Sequence, residues 1–243
     1  EAAVNSILDQ ARVAYEADDY ETAVSLLLPL ADTGDRDALA LLNTMYWFNA
    51  AEHEAEMNIL RRYVDNESPA AMLVLAEMHR WYFTGIQDYD AALALLRPLA
   101  EQGYAPALFS LGQMYAYAQG VEESHETAVQ YYRSAAAKGN TEAMIALGEC
   151  YRFGDGVPSS ATTAIEYYTM AMQQGDPRGA DKLGDLYEYG YGVAMSFETA
   201  KAYYLREVDL GNIYGLVRIG DMFVYGTAVA QDYDKAEEYY QQA

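Results

Sequence analysis

Between Thr141 and Phe153 the apolar positions Ala143, Met144, Leu147, Gly148 and Tyr151 fall three and four residues apart. That spacing collects them on one face of a helix and predicts a helical element over Thr141–Phe153. Gly154 follows, the residue type that closes a helix with left-handed backbone. A short loop leads to Ser160, a side chain suited to accept from the orphan N–H groups of a new helix. The second helix carries Ala164 and the pair Tyr167-Tyr168, and ends at Gly175. Asp176-Pro177 then reads as cap and first-turn proline of the next helix.

This two-helix pattern recurs about every 36 residues. Gly112, Gly148, Gly184 and Gly220 keep the step, preceded by Leu111, Leu147, Leu183 and Ile219. Tyr115, Tyr151, Tyr187 and Phe223 stand three residues after them. The same register holds Tyr131-Tyr132, Tyr167-Tyr168, Tyr203-Tyr204 and Tyr239-Tyr240 in the second helix, together with Ala128, Ala164, Ala200 and Ala236. Asp88, Ser124, Ser160, Ser196 and Asp232 form a row of N-caps, and Asp90, Glu126, Glu198 and Asp234 suit the positive helix end two residues on. No single pair can bury its apolar stripe alone, so the units must stack into a helical repeat.

Ala71, Leu75, Ala76 and Ala92 hold the step for one more unit, and the two units before them are nearer 33–34 residues. The expected units are about 1–37, 38–70, 71–106, 107–142, 143–178, 179–214 and a truncated 215–243, in one all-α solenoid of about seven helix-turn-helix repeats over 1–243. Pro29 and Pro98 sit late in second helices, where they are expected to kink or tighten the last turn. The final unit ends on the internal-repeat pair Tyr239-Tyr240 instead of a polar cap. The expectation is that the natural protein continues there or that another chain covers this end.

Fifty-two per cent hydrophobic content in 243 residues supports a large core. Twenty-four tyrosines against 6 phenylalanines point to many half-buried ring positions whose hydroxyls need partners. The net charge of −22 repels phosphate backbones and makes nucleic acid a poor partner, and no apolar run is long enough to span a membrane. Cys150 is the only cysteine, so no intrachain disulfide can form. A chain that opens on Glu1 without Met is expected to have lost a leader or been excised from a longer one.

Leu147-Gly148, Tyr151, Gly154-Asp155-Gly156-Val157, Ala164, Tyr167-Tyr168, Gly175 and Ala180 resemble the Sel1-like repeat, a relative of the tetratricopeptide repeat with a longer inter-helix loop. Leu183-Gly184, Tyr187, Gly190-Tyr191-Gly192-Val193 and Ala200 repeat the pattern, and the likeness runs from about residue 71 to 243. The first 70 residues look like plainer tetratricopeptide units, through Asp19-Tyr20 and Ala23. The resemblance implies a right-handed α/α superhelix whose first helices line a concave groove, in proteins that mostly assemble other proteins. It favours an exported or periplasmic bacterial protein over a cytoplasmic one.

Chemistry-bearing residues are sparse. His79 takes the Tyr115/Tyr151/Tyr187 position and reads as a packed core residue, His53 in Glu52-His53-Glu54 lacks the i, i+4 partner of a helical zinc site, and His125 follows a cap and reads as solvated. Cys150 shares a row with Met78, Met114, Leu186 and Met222, which suits a small buried hydrophobe. The Gly-x-Gly turns follow helices, unlike phosphate-binding loops. No catalytic residue, metal ligand set or cofactor is therefore expected.

The first helices carry a more informative face. Glu77, Gln113, Glu149, Asp185 and Asp221 follow the glycine position, and Trp81, Tyr117, Phe153, Tyr189 and Tyr225 lie one turn further on the same side. Arg80, Arg152 and Glu188 stand just before the aromatic row. Carried onto the family geometry, these rows would face the groove and bind a protein or peptide, with Lys or Arg favoured by ion pairs and cation–π contacts. The expected function is a non-catalytic scaffold or adaptor. The alternative is an envelope scaffold for glycan or exopolysaccharide secretion, with sugars stacked on the same rings; a hydrolase ranks third.

Overall fold

The computed structural model describes residues 2–48, 53–81 and 87–243. Among the described residues there are fourteen α-helices and no strand, an all-α helical repeat fold. The chain divides into two compact units, residues 1–122 and 123–243. That boundary lies in the segment 117–124 that joins two helices.

The first unit holds α1 (Ala2–Glu16), α2 (Tyr20–Asp32), α3 (Arg36–Phe48), α4 (His53–Val64), α5 (Pro69–Arg80), α6 (Tyr89–Glu101) and α7 (Ala105–Ala116). Its core gathers Leu27, Leu28, Leu42, Met45, Leu60 and Val74 with the alanines Ala11, Ala23, Ala38 and Ala71, all essentially without solvent exposure. Small alanines at the crossing points let the helices approach while leucines fill the spaces between them. Asp88 caps α6 by accepting from the Ala91 N–H at 2.9 Å.

The second unit holds α8 (His125–Ala136), α9 (Thr141–Phe153), α10 (Ala161–Gln173), α11 (Pro177–Tyr189), α12 (Phe197–Asp209), α13 (Tyr214–Tyr225) and α14 (Tyr233–Tyr240). The predicted caps are in place. Ser124, Ser160, Ser196 and Asp232 each accept from the third residue on, and Gly154, Gly190 and Gly226 close their helices with left-handed backbone. The cap residues of α10, α12 and α14 also donate their own N–H back to the carbonyl nine residues earlier, Ser160 to Tyr151, Ser196 to Tyr187 and Asp232 to Phe223. In the first unit Asp88 does the same to His79, which fixes His79 as the equivalent of those aromatics.

One expectation changes. α2 and α6 run through Pro29 and Pro98 and close with the bonds Gly34 to Ala31 and Gly103 to Ala100. α8, which has no proline, ends the same way with Gly139 to Ala136, so the prolines add no special tightening. α13 starts one residue late: Ile213 stays outside the helix while Asn212 accepts from the Tyr214 N–H at 3.2 Å.

Candidate functional site

The paired tyrosines of each second helix divide two jobs. In α10, α12 and α14 the first ring of the pair stacks on an aromatic of the preceding first helix: Tyr167 on Tyr151, Tyr203 on Tyr187 and Tyr239 on Phe223, with centroids 5.8–5.9 Å apart. The second ring lies on the repeat glycine, Tyr168 on Gly148, Tyr204 on Gly184 and Tyr240 on Gly220, where a Cβ would overlap it. Its hydroxyl then donates to the acid beside that glycine: Tyr168 to Glu149 at 2.7 Å, Tyr204 to Asp185 at 3.1 Å and Tyr240 to Asp221 at 2.6 Å. Burial and the neighbouring carboxylate both push these phenols up, Tyr240 to about 12. The acid row is thus an internal hydrogen-bond row.

Successive first helices are also tied to one another at two offsets. Thirty-three residues on, Lys182 approaches Glu149 at 3.6 Å, Arg218 pairs with Asp185, and in the first unit Ser110 donates to Glu77 at 2.6 Å. Thirty-nine residues on, Thr227 donates to Glu188 at 2.7 Å, the Tyr191 ring lies 4.2 Å from the Arg152 guanidinium, and Arg80 donates to Gln119 at 2.8 Å.

These contacts relocate several of the residues assigned to a binding face. Arg80 is fully buried, held by both oxygens of Glu77 at 2.8 Å and by Gln113 and Gln119. Glu188 is 2 % exposed and accepts from Tyr204 at 2.6 Å. Neither is presented to a partner; both tie repeats together. Glu77, Gln113, Glu149, Asp185 and Asp221 are half-buried within the same networks. Arg152 is mostly covered, between Phe153 at 4.9 Å and Tyr191. Trp81 is half-buried and donates its indole N–H to Glu77 at 3.1 Å.

The aromatic row behaves differently. Tyr117 in the first unit is 68 % exposed, and in the second unit Phe153, Tyr189 and Tyr225 are 62 %, 42 % and 74 % exposed. Each of these last three precedes the closing glycine of its helix, so the turn holds the ring at the rim of the helix layer. Tyr191 lies 5.7 Å from Tyr189 and is itself exposed, extending the surface from Phe153 across Arg152 to Tyr189. Sequence reasoning missed Tyr191, Gln119 and Arg218; the 33- and 39-residue offsets are the signal that would have found them.

The remaining candidates fall in the core or on the surface. His79 is half-buried, with desolvation holding its imidazole below the usual value. Burial pushes the Cys150 thiol up to about 11, the opposite of an activated thiolate. His125 sits 3.2 Å from Glu123 at the surface. The His53 side chain and Glu52 lie outside the described residues. Among the described residues no group of acids, histidines and cysteine has the arrangement of a metal site, and no helix is long and apolar enough to cross a membrane.

The Sel1 repeat model matches residues 69–104, 105–140, 141–176, 177–212 and 213–243. A Sel1 repeat protein from Oxalobacter formigenes is 25% identical, with 97% of this chain and 98% of that one covered and a TM-score of 0.67. The c5321 protein, a protective antigen of uropathogenic Escherichia coli with the same repeat fold, is 23% identical with a TM-score of 0.62, over 98% of this chain and 53% of that one. The immunity protein Pa5087 from Pseudomonas aeruginosa is 23% identical with a TM-score of 0.55, over 77% and 72%. Among curated proteins none matches the sequence. Sel1 repeat proteins are generally protein-interaction scaffolds, and their fold is typically non-catalytic.

Proposed function

We propose that the chain, which belongs to the Sel1 repeat family, is an adaptor that holds a partner protein or peptide on the exposed aromatic row of its first helices. One observation carries the reading. Phe153, Tyr189 and Tyr225 stay open to solvent in repeats whose other first-helix aromatics, Tyr151, Tyr187 and Phe223, are stacked inside. Exposed rings at a regular step are costly to leave in water and are the residue type that anchors protein interfaces. Tyr117 offers the same surface within the first unit.

The acids enter this reading differently from the sequence expectation. Glu149 and Asp185 already serve tyrosines and cations of their own stack, so they attract a basic partner only weakly. Binding is carried by ring contact. The glycan alternative draws on the same rings but also needs acids that accept from sugar hydroxyls, and Glu149, Asp185 and Asp221 already accept from Tyr168, Tyr204 and Tyr240.

Affinity capture followed by mass spectrometry tests the proposal, comparing the intact chain with a Tyr117→Ala, Phe153→Ala, Tyr189→Ala variant. The partner set should be lost from the variant and should persist as salt is raised, because screening acts on exposed charges and hardly on ring packing. An unchanged partner list would remove the aromatic row as the binding face. Loss of partners at raised salt from the intact chain would return the interaction to the acids.

A further inference from the structure

Position 207, in α12, interrupts a row of small residues. Its equivalents one and two repeats earlier, Ala171 and Ala135, are fully buried, and so is Glu207, which is 1 % exposed. Asn212, in the turn leading to α13, donates to one carboxylate oxygen at 2.6 Å, and the other oxygen has no hydrogen-bond partner. A lone buried carboxylate oxygen is expensive to keep charged.

What faces it deepens the problem. On α11, Asp181 and Asp185 bear on it, and on α13 Arg218 is the cation within reach of both. Arg218 lies 3.5 Å from Asp181, pairs with Asp185, and stands 3.6 Å from Glu188. It also donates to the Tyr204 hydroxyl of α12 at 3.0 Å. Beyond this circle, Lys182 of α11 and Glu149 of α9 act on Asp181 with opposite sign. Three carboxylates thus share one guanidinium, and the buried Glu207 lies within its field. Two of them, Asp185 and Glu188, also lie within reach of the single Tyr204 hydroxyl proton.

We propose that Glu207, with Asp181, Asp185 and Glu188 around Arg218, is a proton-binding latch that fastens α11, α12 and α13 more tightly as the surroundings turn from alkaline to mildly acidic. A proton taken up by this cluster removes one negative charge from a buried, acid-rich junction. It also lets the unpartnered oxygen become a hydroxyl donor. The device differs from the binding row and adjoins it only through Glu188, which precedes Tyr189 and accepts from Thr227, two residues after Tyr225.

Burial, and then the charges of Asp181 and Asp185, push the Glu207 carboxyl up to about 7. Because that value lies above the ordinary 4.5, the stabilising contribution is fully present below about 4.5 and is lost as the pH rises through about 7.

Thermal unfolding of the full chain between roughly pH 5 and 8.5 tests the latch against Glu207→Gln and Glu207→Ala. Alanine already fills this row in two repeats, so at least that variant retains the fold. The intact chain should gain about 3–5 °C in midpoint relative to either variant between roughly pH 8.5 and 6. Parallel profiles for all three would overturn the proposal. So would a carboxyl titration of Glu207 followed by NMR with its midpoint below about 5.

Discussion

The Tyr168 ring lies against Gly148, with no room for a methyl group between them. The adjoining residue, Glu149, accepts a hydrogen bond from the hydroxyl of that ring at 2.7 Å. The glycine and the acid therefore form one receptor for one tyrosine, and Gly184-Asp185 with Tyr204 and Gly220-Asp221 with Tyr240 repeat it.

Gly148→Ala should therefore cost about 1–3 kcal/mol, since the ring must leave its place and its hydrogen bond with it. Gly175→Ala makes a useful contrast. Its backbone is left-handed but nothing lies within 4 Å of the added methyl, so only the conformational penalty of about 1 kcal/mol applies. Denaturant unfolding of the two variants should rank them in that order.

Tyr168→Phe keeps the ring on the glycine and removes only the hydroxyl. Glu149 retains Lys182 at 3.6 Å and Arg152 at 3.9 Å, so the expected cost is about 1–2 kcal/mol by denaturant unfolding. A cost as large as that of Gly148→Ala would mean that the hydroxyl, not the ring seat, holds the pair of helices.

Ala118 takes left-handed backbone, φ 53°, at the position where Gly154, Gly190 and Gly226 stand in later repeats. Ala118→Gly should relieve that strain and stabilise the first unit by about 0.5–1 kcal/mol, read as a raised unfolding midpoint.

Asp176 is a buried cap. Although burial opposes its charge, hydrogen bonds from Arg178 and Thr141 hold its carboxyl below the ordinary 3.8. Its contribution is therefore present above 3.8 and is lost as the pH falls through its folded value. Asp176→Asn should cost about 1–2 kcal/mol at neutral pH and progressively less as the pH falls well below 3.8, measured by urea unfolding.

The sequence displays the repeat because glycine, tyrosine and cap positions are contacts made inside one helix pair, and these recur at a fixed step. Even the odd residue His79 could be placed by register. Contacts between pairs are harder to read, since they depend on how one repeat is shifted against the next. Glu149 with Lys182 and Asp185 with Arg218 lie 33 residues apart, and Glu188 with Thr227 lie 39 apart, neither matching the 36-residue step. Arg80 and Glu188 therefore look like surface charges in the chain, although each is buried against partners in a neighbouring repeat. For the same reason the acids look as available to a partner as the aromatics do. In the fold the acids are engaged, and Phe153, Tyr189 and Tyr225 are open.

That division of labour is tested most directly by measuring stability and partner capture together on Phe153→Ala, Tyr189→Ala, Tyr225→Ala. Rings that serve only binding should leave the unfolding midpoint within about 2 °C of the intact chain while the captured partner disappears. A midpoint that falls steeply while the partner is retained would contradict the account, assigning the aromatic row to the fold.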